Sequence, residues 1–174
     1  LLYVNQVGGQ DEIVYDGASF AVNVDRTLAV QLGSFCEELA VTRWERTGER
    51  WSCVRGTITR PPDGLEAIYR ALTLGLGDYV RKNRFPGVIL GLSGGIDSAL
   101  TAAIAVDALG PDKVRAVMMP SPYTSAESLE DAEAVARLLG IRYDSISIGA
   151  AMDAFGQMLG PLFAGAKADI TEEN

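Results

Sequence analysis

The sequence has no histidine, only two cysteines and no long apolar run, and each of these absences excludes a class of protein. With 0 His among 174 residues, the chain by itself cannot form a Ser-His-Asp triad, a Cys-His pair or a His-ligated metal site. Cys36 and Cys53 form no CxxC pair, which fits a reducing cytosol better than a disulfide scaffold. The apolar run that begins at Ala102 stops at Asp107, well short of the roughly 18 residues of a membrane span. Because the first residues show no signal-peptide pattern either, we predict a cytoplasmic protein that does not enter a membrane.

Basic residues are outnumbered by acidic ones, and this argues against a nucleic-acid partner. The 15 Lys and Arg residues against 23 Asp and Glu residues give a net charge of −8, whereas binding to phosphate backbones needs a basic face. The 48% hydrophobic and 22% charged residues are typical of a globular protein.

Residues 1–58 contain short apolar runs separated by turn signals, which indicates a β-rich region. The predicted strands are Leu1 to Val4, Ile13 to Tyr15, Ser19 to Val24 and Leu28 to Leu32, interrupted at Gly8-Gly9 and Asp16-Gly17. Pro61 and Pro62 end this pattern, because two prolines fix φ and remove two N–H donors. We therefore predict a linker at residues 59–64 and a second domain at residues 65–174.

From residue 65 onward, helical periodicity alternates with short apolar strands. The predicted helices run from Leu65 to Lys82, from near Ser98 to Leu109 and from Thr124 to Leu139, and the predicted strands from Val88 to Leu92, Val114 to Met119 and Tyr143 to Ile148. Thr124 and Glu127 are expected to form a capping box at the third helix. The alternation predicts an α/β fold, a doubly wound parallel sheet.

Both ends of the sequence look interrupted. Leu1 already lies in an apolar run, and Thr171 followed by Glu172 resembles the first turn of a helix. We therefore expect the chain to be an internal segment of a longer protein.

The segment Gly91-Leu92-Ser93-Gly94-Gly95-Ile96-Asp97-Ser98 lies between a predicted strand and a predicted helix, where open α/β sheets bind ligands. Gly94 and Gly95 allow consecutive N–H groups to point at an anion, and the helix N-terminus adds partial positive charge. We therefore predict a phosphate site with contributions from the Ser93 and Ser98 hydroxyls. The alternative is a helix-entry turn capped by Asp97.

Asp97 is out of place in an anion site unless a cation lies between it and the phosphates, which predicts Asp97 as a Mg²⁺ ligand. Two other phosphate loops are excluded. No lysine occurs between Lys82 and Lys113, so a Walker A loop is absent, and the sequence has no GxGxxG.

The string Ser93-Gly94-Gly95-Ile96-Asp97-Ser98 resembles the SGGxDS pyrophosphate loop of the N-type ATP pyrophosphatases, which activate an oxygen as an adenylate. Two further stretches, Leu76 to Gly87 and Met119 to Ser125, resemble the synthetase domain of the glutamine-dependent NAD synthetase family. Tyr3 to Phe20 is similar to the late part of that family's nitrilase-type glutaminase domain.

The resemblance implies the fold of each part and the reaction. Residues 1–58 would be the β-rich end of a nitrilase-like αββα domain, and residues 65–174 the first part of an adenine nucleotide alpha hydrolase-like domain. The family amidates deamido-NAD to NAD with ATP and Mg²⁺, using ammonia released from glutamine. The resemblance also implies a homo-oligomer, ATP binding by Gly91 to Ser98, and Asp97 as the metal ligand.

Four further residues receive substrate roles from the resemblance, each beside a structural alternative. Tyr79 would approach deamido-NAD of a neighbouring subunit, or be a core tyrosine that continues an apolar helical stripe. Pro122, Tyr123 and Ser125 would contact adenosine, or form a capped turn.

No glutaminase catalytic residue is expected in this segment, and Cys36 and Cys53 are interpreted as buried or surface thiols. The alternatives are another adenylating amidotransferase or thiolase with the same loop, or a non-catalytic adenine-nucleotide-binding module.

Overall fold

The computed structural model describes residues 1–163, which fold into two compact units that divide between Phe85 and Pro86. The helix start expected at Thr171 lies outside the described residues. The compact units divide at a different place from the linker predicted at residues 59–64. That linker stays a prediction about how a longer protein is organised.

The first unit consists of short antiparallel strands followed by one long helix. Its elements are β1 Leu2–Tyr3, β2 Val7–Gln10, β3 Ile13–Asp16, β4 Phe20–Val22, β5 Leu28–Gln31, β6 Trp44–Thr47, β7 Arg50–Cys53 and α1 Gly64–Lys82. Strands β1, β4 and β5 form an antiparallel sheet, while β2–β3 and β6–β7 are hairpins. A small core forms around Ala21, Ala29, Val30 and Cys53.

The interpretation of Gly8-Gly9 as an interruption is wrong, because both glycines lie inside β2. They pair with Tyr15 and Val14 of β3, so the strand is built on backbone hydrogen bonds rather than on β-forming side chains. Helix α1 packs on this hairpin. This packing stabilises a strand that the local sequence, with its two glycines, does not predict.

Helix α1 follows the predicted bounds, but of its apolar stripe, formed by Leu65, Ile68, Leu72, Leu76, Tyr79 and Val80, only Val80 is buried. Gly77 and Val80 are its buried residues, whereas Leu65, Ile68, Leu72 and Tyr79 are exposed. Tyr79 is 52% exposed, and its ring lies against that of Phe85, with centroids 5.9 Å apart and planes inclined by 57°. The interpretation of Tyr79 as a core residue is therefore wrong.

The second unit confirms the predicted alternation of strands and helices in a parallel sheet. Its elements are β8 Val88–Gly91, α2 Ile96–Leu109, a 3₁₀ turn Pro111–Lys113, β9 Val114–Met118, α3 Ala126–Leu139, β10 Arg142–Ser145 and α4 Gly149–Leu159. The strand order is β10-β9-β8, and both pairings are parallel. The apolar run from Val88 to Leu92 predicts a buried strand, but this is wrong for Ile89, which is 66% exposed.

Small residues bring the helices of the second unit close to its sheet. Ala102 and Ala105 of α2, Ala132 and Ala136 of α3, and Ala116 of β9 are all buried. Helices α2 and α3 contact β9 and each other. This packing fixes the position of both helix N-termini. Among residues 1–163, no helix has the length and apolar character needed to cross a membrane.

Candidate functional site

The candidate site begins where β8 ends, in the glycine-rich loop predicted from sequence. The Leu92 N–H donates to the Val117 carbonyl at 2.9 Å, and Leu92 is 1% exposed. This continues the parallel pairing with β9 and anchors the start of the loop. Helix α2 begins at Ile96, not near Ser98 as predicted, with Gly95 as its N-cap.

The Ser98 hydroxyl closes the loop by bonding to three of its groups. It accepts from the Ser93 N–H at 3.2 Å, donates to the Gly95 carbonyl at 2.9 Å and lies 3.1 Å from the Ser93 hydroxyl. The Gly95 N–H in turn faces the Ser93 hydroxyl at 3.4 Å. The two serines therefore hold the backbone of the loop in one curled conformation.

Gly94 is the glycine that this conformation requires. Its φ is +83°, and a Cβ built on it would lie 2.3 Å from the Ser128 carbonyl oxygen in α3. Gly95 has φ −80°, and its Cβ would meet nothing closer than the Ser93 hydroxyl at 3.5 Å. The loop thus touches the first turn of α3 through Gly94.

Asp97 lies in the first turn of α2 with an exposed side chain. Within residues 1–163 its carboxylate has no hydrogen-bond or ion-pair partner, whereas its backbone carbonyl accepts from the Thr101 hydroxyl at 2.8 Å. The alternative interpretation of Asp97 as the helix cap is wrong, because Gly95 is the N-cap and no side chain caps the helix.

The residues around Asp97 fit a metal ion that takes its other ligands from elsewhere. Within the described chain no cluster of three or more Cys, Asp or Glu residues could hold a cation alone. Mg²⁺ typically binds one or two carboxylates together with substrate phosphates and water. A single free carboxylate beside a glycine-rich loop suits that pattern.

A cavity of about 460 Å³ opens beside the loop. Its walls come from the loop, from the end of β9 and from the turn before α3, and the lining residues are Gly91, Leu92, Ser93, Val117, Met118, Met119, Tyr123, Thr124, Ser125 and Ser128. Apolar side chains and hydroxyls therefore meet in one space, and its volume lies in the range of small-molecule sites.

The structure brings some of the predicted residues to this cavity and leaves others away from it. Tyr123 and Ser125 line it, whereas Pro122 does not. Tyr79 belongs to the first unit. Sequence reasoning missed Met118, Met119 and Ser128, although the end of a second parallel strand and a serine three residues after Ser125 could have indicated them.

The turn that precedes α3 is organised by its hydroxyl groups. The predicted capping box is wrong, because Ser125 is the N-cap and its Oγ accepts from the Ser128 N–H at 3.1 Å. Thr124 instead accepts from the Ser121 N–H at 2.9 Å. Thr124 thereby stabilises the turn, and the helix begins one residue later than the sequence pattern suggests.

The fold and the loop define an α/β protein with a glycine-rich site at the carboxyl end of its first parallel strand. The sequence profile of the NAD synthase family matches residues 68–174. The chain belongs to the NAD synthase family.

Relatives match the whole chain. It is 51% identical over 174 residues to the glutamine-dependent NAD(+) synthetase of Rhodobacter capsulatus and 48% identical to that of Acinetobacter baylyi, with 100% of this chain and 32% of each relative covered. The chain therefore spans about a third of the length of the curated relatives that it matches.

Two solved structures show the same fold. The glutamine-dependent NAD+ synthetase of Acinetobacter baumannii, in complex with ADP, matches with a TM-score of 0.91 and 45% identity over 99% of this chain and 32% of that one. The NH3-dependent NAD synthetase of Campylobacter jejuni matches with a TM-score of 0.55 and 30% identity over 64% of this chain and 46% of that one.

Proposed function

We propose that this chain acts as the nucleotide-binding part of a glutamine-dependent NAD synthetase of the relatives' length. That enzyme would amidate deamido-NAD to NAD through an adenylated intermediate, with ATP consumed and ammonia supplied by glutamine. The observation that carries the proposal is the curled loop from Gly91 to Ser98 beside a 460 Å³ cavity. Relatives carrying that name, and the ADP complex of a structural neighbour, support it.

The loop would hold the pyrophosphate of ATP. Hydrogen bonds to a charged group contribute about 1.5–3 kcal/mol each, whereas a helix N-terminus adds only about 0.3–1 kcal/mol. The backbone N–H groups of the loop other than those of Ser93 and Gly95, which face serine hydroxyls, would together with the two serine hydroxyls provide most of the binding. Asp97 would hold the Mg²⁺ ion, which neutralises phosphate charge when bound.

The neighbouring cavity would take the adenosine part of ATP. Tyr123 and Ser125 line it, and Pro122 lies in the same turn. Met118 and Met119 offer apolar contact for a purine ring, while the hydroxyls of Thr124 and Ser128 offer hydrogen bonds. Tyr79, exposed on α1, would approach deamido-NAD of a neighbouring subunit in a homo-oligomer.

The wider organisation follows from the same proposal. Residues 1–58 would be the end of a nitrilase-like αββα glutaminase domain, residues 59–64 a linker, and residues 65–174 the first part of a doubly wound synthetase domain. The glutaminase catalytic residues would lie outside this chain. The cytoplasmic location stays a prediction.

The test is an assay of the full-length protein for release of pyrophosphate from ATP, with ammonium chloride as the nitrogen source. We expect release that depends on deamido-NAD and yields NAD. Release that depends on a different acceptor would instead indicate another adenylating amidotransferase or a thiolase. ATP binding without turnover would indicate a non-catalytic module.

A further inference from the structure

The backbone of Gly9, in the middle of β2, is held at both polar groups by side chains of α1. The Gly9 N–H donates to Asp78 Oδ2 at 2.8 Å, and the Lys82 ammonium donates to the Gly9 carbonyl. These partners are 69 and 73 residues apart in the chain. An edge strand is thus closed by helix side chains rather than by another strand.

Three glycines allow this close approach. A Cβ on Gly8, whose φ is +143°, would lie 2.9 Å from Asp78 Oδ2, and a Cβ on Gly9 would lie 2.9 Å from the Gly75 Cα. Side chains at these positions would push β2 away from the helix. The backbones of β2 and α1 therefore pack closely against each other, without side chains between them at these glycines.

Asp78 is the central charged group of this contact. Its side chain is 16% exposed, and besides the Gly9 N–H it binds Arg81 at 2.6 Å and Lys82 at 3.3 Å. Burial would raise the pKa of Asp78, but the hydrogen bonds from Arg81, Gly9 and Lys82 outweigh burial and hold its pKa below the ordinary value. A charge held by three donors is both ordered and difficult to replace.

The location of the contact gives it a functional meaning, which rests on the proposed function. Asp78 and Lys82 lie inside the residues matched by the NAD synthase family, 68–174, whereas Gly8 and Gly9 precede them. Within the first unit, α1 packs on β2 and, less extensively, on β3. The contact therefore joins the first helix of the synthase region to the region proposed to be part of the glutaminase.

We infer that Gly8, Gly9, Asp78 and Lys82 form a clamp inside the first unit, between the proposed glutaminase region and the first helix of the synthase region, in which Asp78 is a positioning residue for transfer of ammonia between the two activities. Ammonia that is released in one domain escapes to solvent unless the second domain is held in a fixed position. Ammonium supplied from solution does not need that position. Loss of the clamp should therefore reduce the glutamine-driven reaction and leave the ammonium-driven reaction intact.

The test uses the full-length protein with Asp78→Ala and Lys82→Met, each removing one partner of Gly9. Glu66→Gln is the matched control. Glu66 lies on the same helix and forms an ion pair with Arg70, and both side chains are more than half exposed. We expect both clamp variants to lower the glutamine-driven rate by about tenfold relative to the ammonium-driven rate, in line with loss of a hydrogen bond to a charged group. The ratio should not change in the control.

Hydrogen exchange of the β2 backbone provides a readout that does not depend on activity. We expect the Gly9 amide to exchange at least about tenfold faster in Asp78→Ala. An unchanged ratio in variants whose Gly9 amide exchanges faster would overturn the positioning role, and unchanged exchange would overturn the clamp itself. If Asp78→Ala does not fold, Lys82→Met decides. If the unmodified protein makes no NAD from ammonium, the proposed function fails instead, and exchange still shows whether the clamp exists.

Discussion

At the scale of single residues, the requirement for glycine at position 94 is conformational and steric at once. Its φ of +83° costs a residue with a side chain about 1–2 kcal/mol, and the Ser128 carbonyl leaves no space for a Cβ. We therefore expect Gly94→Ala to lower the free energy of unfolding by about 2 kcal/mol or more. Urea denaturation followed by circular dichroism measures this change.

The adjacent glycine provides the control for this substitution. Gly95 has φ −80° and room for a Cβ, so Gly95→Ala should change the free energy of unfolding by at most about 0.5 kcal/mol. Equal losses in the two variants would show that the approach to Ser128 does not stabilise the loop.

Asp97 differs from the serines of the loop, because its carboxylate makes no contact that the fold needs within residues 1–163. We expect Asp97→Asn to keep the unfolding free energy within about 0.5 kcal/mol and to weaken the Mg²⁺-dependent part of ATP binding by about tenfold. Calorimetric titration of the full-length protein with ATP, with and without Mg²⁺, measures this. An unchanged gain in affinity on adding Mg²⁺ would contradict the role of Asp97 as metal ligand.

At the scale of elements, the start of α3 shows how one hydroxyl defines a helix boundary. Ser125 Oγ accepts from the Ser128 N–H, so Ser125→Ala should lower the free energy of unfolding by about 1 kcal/mol. Glu127, the expected partner in a capping box, is the control. Glu127→Gln should cost no more than a few tenths of a kcal/mol, about the lower value for a charge near a helix N-terminus. The reverse order of the two effects would restore the capping box.

The elements that sequence predicts well are those whose signal is local. The parallel strands and helices α2 and α3 follow from apolar runs and from breaks at Gly110-Pro111 and Gly140, and the loop of the candidate site follows from its glycines and serines. Helix boundaries shift by one or two residues where neighbours such as Thr124 and Ser125 can both cap the helix N-terminus. Periodicity alone could not choose between them.

Contacts between distant parts of the chain are what sequence could not predict. Strand β2 has two central glycines, which normally weaken a strand, and it is stabilised by its pairing with β3 and by Asp78 and Lys82 of α1. The exposed apolar side of α1 is a similar case, because the helix meets β2 through Gly75, Asp78 and Lys82 rather than through the exposed Leu65, Ile68 and Leu72. Met118 and Met119 likewise line the cavity because β9 pairs with β8, and the sequence does not show this strand order.

At the scale of the whole molecule, three acids connect stability to pH. Hydrogen bonds from Thr27 lower the pKa of Asp25, the hydrogen bond from Arg115 lowers that of Asp144, and the donors around Asp78 lower its pKa despite burial. Asp78 lies in the first unit and Asp144 in the second. Each unit therefore contains an acid that is more strongly ionised when the chain is folded.

Stability should therefore fall on acidification and should not depend on these groups near neutral pH. Above the ordinary pKa of 3.8 the folded and unfolded chains bind the same number of protons at these acids, so their stabilising contribution is complete. As pH falls below 3.8, the unfolded chain takes up protons that the folded chain resists, and the contribution is lost through the lower folded pKa. We expect the urea midpoint to drop as the pH falls below about 4, and less steeply in Asp78→Asn and Asp144→Asn.

The absence of histidine leads to a second prediction, for the stability of the chain near neutral pH. Histidine is the side chain whose ordinary pKa produces a charge change between pH 5 and pH 8, and the chain has 0 His. We therefore expect the urea midpoint of this chain to be constant from pH 5.5 to pH 7.5, measured in steps of about half a unit at fixed ionic strength. A slope in that range would require another group, such as a carboxylate, a thiol or the N-terminal amine, that binds protons differently in the folded and unfolded chains. Asp25, Asp78 and Asp144 could not be its source, because their pKa values are shifted downward.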